Sequence, residues 1–521
     1  MLKDSTNKEI IIRVGIIAFL FILQIIWFTI VLTRLTQYSM WLNGLLFIFS
    51  IFMILFLIRK NESPTYRFSW IMVIALFPLF GGLLYLLIGN KRPAQGMKRS
   101  LEDQQESYKN VMDSAPDAGE LLLERDSRLG LTAKYLRDYD RMPVYTNTGV
   151  DYYPNGESMM DDLLEDLRAA ERFIFIEFFI VEYGEMFDAI FEILKQKADQ
   201  GVDVRFMYDD FGTITRLPKS FDEELEKLGI RALKFNPVKP LLSVAYNTRD
   251  HRKFIIIDGK IGYTGGLNLA DEYINKVERF GYWKDNMIRI KGPAVWNLTV
   301  LFLNMWNAFY VLDESYEGFV DEQLIFETEQ MMQEPDQVAA AGFVQPFGDS
   351  PLDSEALGEN IYLEMINYAE DYVYIYTPYL VISDELESAL ALAAKRGVDV
   401  RIMTPGIPDK KIVYRVTRSY YPPLLKAGVR IFEYSPGFLH AKTFVVDDCL
   451  ASVGTINLDY RSLYLHFEAS TILYYHPVIS EIKEDFLKSQ SQSREVSLKD
   501  TKQTLLGEVW DSVLRLMAPF I

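Results

Sequence analysis

His251-Arg252-Lys253-Phe254-Ile255-Ile256-Ile257-Asp258 returns later in the chain as His440-Ala441-Lys442-Thr443-Phe444-Val445-Val446-Asp447. The register holds beyond the octets, because Gly265, Gly266 and Asn268 stand after the first as Gly454, Thr455 and Asn457 stand after the second. The chain has only four histidines, and two of them open these stretches. Each apolar run, Phe254 to Ile257 and Thr443 to Val446, reads as a strand, on which a lysine two residues after the histidine shares its face. Histidine is the side chain best suited to nucleophilic and acid–base work near neutral pH. With a cation beside each, two such half-sites can meet to grip one anion.

The repeat extends outward. Gly201-Val202-Asp203-Val204-Arg205 recurs as Gly397-Val398-Asp399-Val400-Arg401, and Gly229-Ile230-Arg231 is matched by Gly428-Val429-Arg430. Phe173 to Ile180 and Val373 to Leu380 are runs of β-branched and aromatic residues. Strands alternating with helices give an α/β fold class in two copies, residues 141–312 and 346–521, joined by an acidic linker at 313–345 with room for a helix. The first copy carries an extra loop around Leu241 to Thr248, next to its histidine, which is either a membrane or acyl-chain contact or a surface insertion. Residues 91–140, polar with a weak helical pattern, are expected to link this body to the N-terminus. Leu506, Trp510, Val513, Leu514 and Met517 share a helical period near the C-terminus, expected to pack on the core, with membrane contact the alternative.

Residues 1–90 have a different character. Val14 to Leu32 and Met40 to Leu57 are each close to the ~20 apolar residues that cross a hydrocarbon core. Trp70 to Ile88 is interrupted by Pro78, Gly81 and Gly82. If that third run dips in and returns, nearly every basic residue near the spans except Arg34 lies on one side, as the positive-inside rule requires. An α-helical membrane region is therefore expected, with two spans, a re-entrant third segment and a multi-pass chain whose catalytic domains are cytoplasmic; three full spans are the alternative. The net charge of −18 disfavours a general nucleic-acid binder, which needs a basic footprint. Cys449, the only cysteine, permits no intramolecular disulfide.

The pattern H-x-K-x4-D-x6-G-[GST]-x-N, present twice, resembles the HKD signature of the phospholipase D superfamily. The resemblance implies two tandem phospholipase D-type α/β/α domains related by a pseudo-twofold axis, with both motifs at one site. Several stretches are similar to bacterial cardiolipin synthases: Ser63-Pro64-Thr65 with Trp70, Pro78 and Gly81, then Tyr208-Asp209-Asp210-Phe211-Gly212, Thr377-Pro378-Tyr379, and the basic aromatic run Lys410, Lys411, Tyr414, Arg415, Arg418, Tyr420 and Tyr421, either a solvated helix face or a headgroup dock. The implied reaction joins two phosphatidylglycerols into cardiolipin and glycerol, with both lipids as partners in the cell membrane and no cofactor. A hydrolytic phospholipase D and a membrane-tethered nuclease share the motif.

The implied catalytic set is His251, Lys253, Asp258, His440, Lys442 and Asp447. His251 is assigned as nucleophile and His440 as acid and then base, with the reverse order left open by the symmetry. Lys253, Lys442, Asn268 and Asn457 would hold phosphoryl oxygens, and Thr455 would add a hydroxyl where Gly266 offers only backbone. Asp285 and Glu468 match acidic residues that orient the histidines. Asp258 and Asp447 are expected to fix the loop after each strand. His466 and His476 show no ligand spacing with cysteines or carboxylates, so no metal is expected.

Overall fold

The structure is a computed structural model that describes residues 37–60, 64–89, 95–238, 247–310, 315–353 and 355–520, with a few residues between 19 and 29. The loop at 241–246 and most of the first apolar run lie outside the described residues.

In the first half, β1 (Gly149–Tyr153), β2 (Phe173–Phe178), β3 (Asp203–Asp209), β4 (Arg231–Phe235), β6 (Phe254–Ile257), β7 (Ile261–Gly265) and β9 (Met287–Lys291) form a seven-stranded mixed sheet in the order β1-β9-β7-β6-β2-β3-β4. The second half repeats it with β10 (Phe343–Asp349), β11 (Tyr372–Tyr376), β12 (Asp399–Pro405), β13 (Arg430–Tyr434), β15 (Thr443–Val446), β16 (Leu450–Gly454), β17 (His466–Tyr474) and β18 (Ser493–Val496), ordered β10-β17-β16-β15-β11-β12-β13-β18. β6 lies antiparallel to β2 with Ile257 opposite Ile174, and β15 lies antiparallel to β11 with Val446 opposite Val373. Helices cover both faces, so β2, β6, β11 and β15 are buried along their whole length, as runs without polar alternation require.

Two short strands cross between the halves. β5 (Arg249–Asp250), just before His251, pairs with β17 of the second half, while β14 (Gly437–Leu439), just before His440, pairs with β8 (Tyr282–Lys284) of the first. Each histidine is thereby delivered to the opposite half.

The presumed linkers are structural parts of the body. Residues 95–139 form α4 (Gln95–Asp113), α5 (Gly119–Arg125) and α6 (Ser127–Tyr139), burying Tyr108, Met112, Leu122, Leu129 and Leu136. α4 lies on α7 (Val295–Phe309) of the first half, and α6 lies against the helix Leu357–Tyr368 of the second. The acidic segment contains two helices, Glu322–Met331 and Pro335–Ala341, and its last residues already belong to β10.

At the N-terminus α1 (Gln37–Ile58) is followed by α2 (Pro64–Leu76), a break at Phe77, α3 (Pro78–Leu84) and a π-turn at Tyr85–Gly89. Among the described residues no helix is long and apolar enough to cross a membrane. The break turns the chain back on itself: a Cβ on Gly81 would stand 2.6 Å from the Val73 carbonyl oxygen, so only glycine allows this approach. Tyr66 Oη donates to the Gly89 carbonyl at 2.7 Å, so the two ends of the hairpin meet. Its foot packs through Tyr66, Trp70 and Tyr85 against Tyr460 and Leu465 of the second half.

The C-terminal helix corrects the sequence expectation. In α10 (Leu505–Met517) Leu506 is 82% exposed, Trp510 52% and Val513 42%, and of the expected stripe only Leu514 is buried. The period identifies a face without saying which way it points.

Candidate active site

The crossed strands place a buried carboxylate against each histidine. His251 Nδ1 is 2.9 Å from both Glu468 Oε1 and Oε2, and His440 Nδ1 is 2.6 Å from Asp285 Oδ2. Backbone bonds fix the match, since His251 N–H donates to the Phe467 carbonyl at 2.9 Å and His440 N–H to the Lys284 carbonyl at 2.7 Å. Both carboxylates, implied by the resemblance, thus stand at the site, each on the histidine of the other half. The imidazoles are braced by rings: Phe179 edge-on to His251 at 5.1 Å, and Trp283 and Phe438 at 5.4 and 5.8 Å from His440.

The carboxylates are themselves held. Glu468 accepts from Ser462 Oγ at 2.6 Å and from Thr455 Oγ1, and Asp285 accepts from the Asn286 N–H at 2.9 Å. The Thr455 hydroxyl therefore serves Glu468, where the sequence suggested a phosphoryl contact. Gly266, its counterpart, has no alternative, because a Cβ there would lie 1.9 Å from Asp285 Oδ1.

Lys253 Nζ donates to the His251 carbonyl at 2.6 Å, and Lys442 Nζ donates to the His440 carbonyl and lies 2.9 Å from His440 Nδ1. Burial pushes Lys253 down to about 7 and Lys442 down to about 8, against the pull of Glu468 and Asp285. Burial and then Lys442 lower His440 to about 4, and burial followed by Lys253 and Lys442 holds His251 well below its ordinary value. Burial pushes the Asp285 carboxyl up, but His440 and Lys442 leave it lower than normal. Four basic groups crowded in a low-dielectric site each suppress the next, the electrostatic state expected of a site shaped for an anion.

The two asparagines diverge. Asn268 is fully engaged, accepting from the Ile180 N–H at 3.0 Å and donating to Tyr273 Oη at 2.8 Å. Asn457 keeps a buried Oδ1 with no partner among the described residues, which suits it better to a ligand. Asp258 and Asp447 stand away from the histidines. Asp258 accepts from the backbone N–H groups of Glu171, Arg172 and Phe173, and Asp447 from those of Glu370, Asp371 and Tyr372. They fix the turn after each strand at positive φ.

Residues to which the sequence assigned no catalytic role complete the site. Ser462 holds both Glu468 and the Asn457 N–H. Asp209 accepts from the Asp250 N–H at 3.0 Å, while Arg252 pairs with Asp250 and Glu177, a buried network that braces the backbone on either side of His251. His466 lies with its ring 5.7 Å from that of His251 and its Nδ1 3.8 Å from Glu468 Oε1. His251, His466 and Glu468 have the spacing of a metal site, contrary to the sequence reading of His466. The donors do not fit one, because Glu468 is already shared by His251, Ser462 and Thr455 and two lysines contribute positive charge. The basic aromatic run divides: Arg415 is paired with Asp511 and Arg418 with Glu433, Tyr420 and Tyr421 are buried, and Lys410 and Lys411 remain exposed.

Two mirrored His–Lys motifs facing each other across paired sheets define the phospholipase D class of phosphodiester-transferring folds. The family model described as cardiolipin synthase, phospholipase D-like domain, matches residues 163–306 and 362–489, and the one described as phospholipase D-nuclease N-terminal matches residues 45–90. A cardiolipin synthase of Geobacillus sp. (strain WCH70) is 34% identical over 99% of this chain and 100% of its own length. An uncharacterised protein of Streptococcus mutans is 41% identical over 90% of this chain and 99% of its own. The phosphatidylserine synthase of Haemophilus influenzae Rd KW20, 14% identical, shares the fold with a TM-score of 0.56 over 75% of this chain and 98% of that one. The chain belongs to the cardiolipin synthase family of phospholipase D-like proteins.

Proposed function

We propose that the chain is a membrane-bound cardiolipin synthase acting on two phosphatidylglycerols. The carrying observation is the pair of crossed dyads, His251–Glu468 and His440–Asp285, around Lys253 and Lys442. A carboxylate on each Nδ1 directs the proton there and leaves Nε2 as the reacting nitrogen.

In the first half-reaction Nε2 of His251 forms a bond to phosphorus, the bond from phosphorus to the glycerol oxygen breaks, and His440 gives its proton to that oxygen. Glycerol departs, leaving a phosphatidyl-histidine. The glycerol hydroxyl of a second phosphatidylglycerol then loses its proton to His440, attacks phosphorus and releases His251. One phosphodiester is broken and one made, so no energy source is required. Lys253, Lys442 and Asn457 hold the non-bridging oxygens, and the substrate's negative charge raises the histidine pKa enough for His440 to carry its proton.

The membrane setting is supported by the hairpin of α2 and α3. Thirteen residues in α2 rise ~20 Å, less than the ~30 Å hydrocarbon core, and the meeting of Tyr66 with Gly89 suits a segment that enters and leaves on the cytoplasmic side. Purified protein incubated with phosphatidylglycerol alone is the test: cardiolipin and free glycerol in equal amounts are expected, whereas phosphatidic acid as the sole lipid product would make it a hydrolase.

A further inference from the structure

The C-terminal helix is built the wrong way round for a helix on a soluble body. Its buried face is polar at the centre: Asp511 accepts from Arg415 at 2.6 Å and from Gln503, Arg515 reaches Glu387 at 2.9 Å, and Leu514 is the one large apolar side chain enclosed. Leu505, Leu506, Val509, Trp510 and Val513, 77, 82, 55, 52 and 42% exposed, fall within an arc of ~140° on a helical wheel, turned away from that face.

Three observations say what covers the stripe. Exposed Lys499 and Lys502, with Asp500 between them paired to Arg494, precede the helix, and exposed Lys410, Lys411 and Ile412 open α8 (Lys411–Ser419), the helix on which α10 rests. In a chain of net charge −18, this local basic rim around an apolar face complements an anionic lipid surface. The helix also ends against the foot of the hairpin, since Phe520, just beyond it, places its ring 4.8 Å from Trp70 and 6.1 Å from Tyr66. Finally, a cavity of about 50 Å³ opens between α8 and the end of α10, where the cations Lys410 and Arg461 outnumber the one carboxylate, Asp459, among Tyr379, Val413 and Ala518. Lys410 is linked to the site through rings, its Nζ 5.5 Å over Tyr379, whose ring is 6.4 Å from that of Phe438, itself 5.8 Å from His440.

We propose that α10 is a second membrane contact, lying in the headgroup layer of an anionic leaflet and holding the mouth of this cavity at the level of the lipid headgroups. The inference rests on the membrane reading above. The hairpin anchors the body at one point, and the helix fixes its tilt, so that a lipid headgroup meets Lys410 and Arg461 on its way to His251.

The test uses the full chain with Cys449→Ser, reconstituted in bilayer discs containing phosphatidylglycerol. Single cysteines at Leu506→Cys on the stripe, Ser512→Cys on the helix edge and Phe52→Cys on α1 carry an environment-sensitive fluorophore. Quenching of the label at 506 by shallow spin-labelled lipid, with the label at 512 open to aqueous iodide, is expected. If 52 is quenched by lipid while 506 is as open to iodide as 512, the inference fails and the membrane reading stands; if neither 52 nor 506 is quenched by lipid, both fail. Protection of 506 from both quenchers would mean a second copy of the chain covers the stripe, which also overturns it. Independently, Leu506→Glu with Trp510→Glu should raise the apparent KM for phosphatidylglycerol in vesicles about tenfold and leave turnover of a short-chain, water-soluble analogue unchanged; equal loss on both substrates would refute the role.

Discussion

Replacing Asp285 by asparagine and Glu468 by glutamine should produce two different defects from two similar-looking changes. Each substitution removes the charge that faces an imidazole at 2.6 or 2.9 Å inside a buried site. A hydrogen bond to a charged partner contributes ~1.5–3 kcal/mol, and loss of the anion also removes stabilisation of the imidazolium, so rates should fall by about 10²–10⁴ in each case. The defects part when the leaving group changes. Asp285 serves His440, whose first task is to protonate departing glycerol; a phosphatidyl ester of p-nitrophenol needs no such proton. Asp285→Asn should therefore recover to within about tenfold of wild type in the burst of p-nitrophenolate on that substrate, because general-acid help is what it lacks. Glu468 serves His251, the attacking nitrogen, and Glu468→Gln should stay slow with either leaving group. Stopped-flow absorbance measures both bursts. Rescue of Glu468→Gln rather than Asp285→Asn would exchange the roles of the histidines, and equal behaviour of the two would refute the crossed division of labour.

Three further outcomes follow from the same geometry. Lys253 at about 7, Lys442 at about 8 and His440 at about 4 lie below their ordinary values, and a bound anion raises them, so the liganded site holds more protons than the empty one; tungstate or vanadate should bind with proton uptake and tighten as pH falls from 8 to 7, by up to about tenfold per proton, which calorimetry in buffers of different ionisation heat will read, and pH-independent binding would contradict it. Gly266→Ser should lower turnover about as far as Asp285→Asn while the protein stays folded by circular dichroism, because the new Cβ occupies the position of Asp285 Oδ1; near-wild-type activity would mean that Asp285 can move without consequence. In a Cys449→Ser chain, cysteines placed at Asn61 and Ser100 should behave alike toward an impermeant thiol reagent added to intact cells, since the hairpin ends meet at Tyr66 and Gly89; labelling of one and protection of the other would remove the hairpin model.

The two HKD strands and the repeated α/β order were legible because a strand places His and Lys on one face by periodicity alone, and because the same spacing occurs twice. The carboxylates could be named but not matched to their histidines: the match depends on β5 and β14, two and three residues long, pairing between halves, and no local pattern marks so short a strand. His466 carries no legible signal in the sequence because its neighbours are spatial, with the His251 ring 5.7 Å away in three dimensions. Residues 91–140 read as a connector because their apolar positions are sparse; Tyr108, Met112 and Leu136 are nevertheless buried, and the helices that carry them lie on a helix of one half or the other. For α10 the period was right and its direction wrong, because Asp511 finds Arg415 on the body and turns the apolar stripe outward.

The covalent intermediate gives the most direct test that the two halves make one site with His251 as its nucleophile. His440→Ala should react with the p-nitrophenyl ester, release one equivalent of p-nitrophenolate and stall, since the base that activates the acceptor is missing. Peptide mapping by mass spectrometry at neutral to alkaline pH should then find the phosphatidyl group on His251, and His251→Ala should carry none. An adduct on His440 of the wild-type protein, or a stoichiometric burst with no adduct on His251, would contradict it.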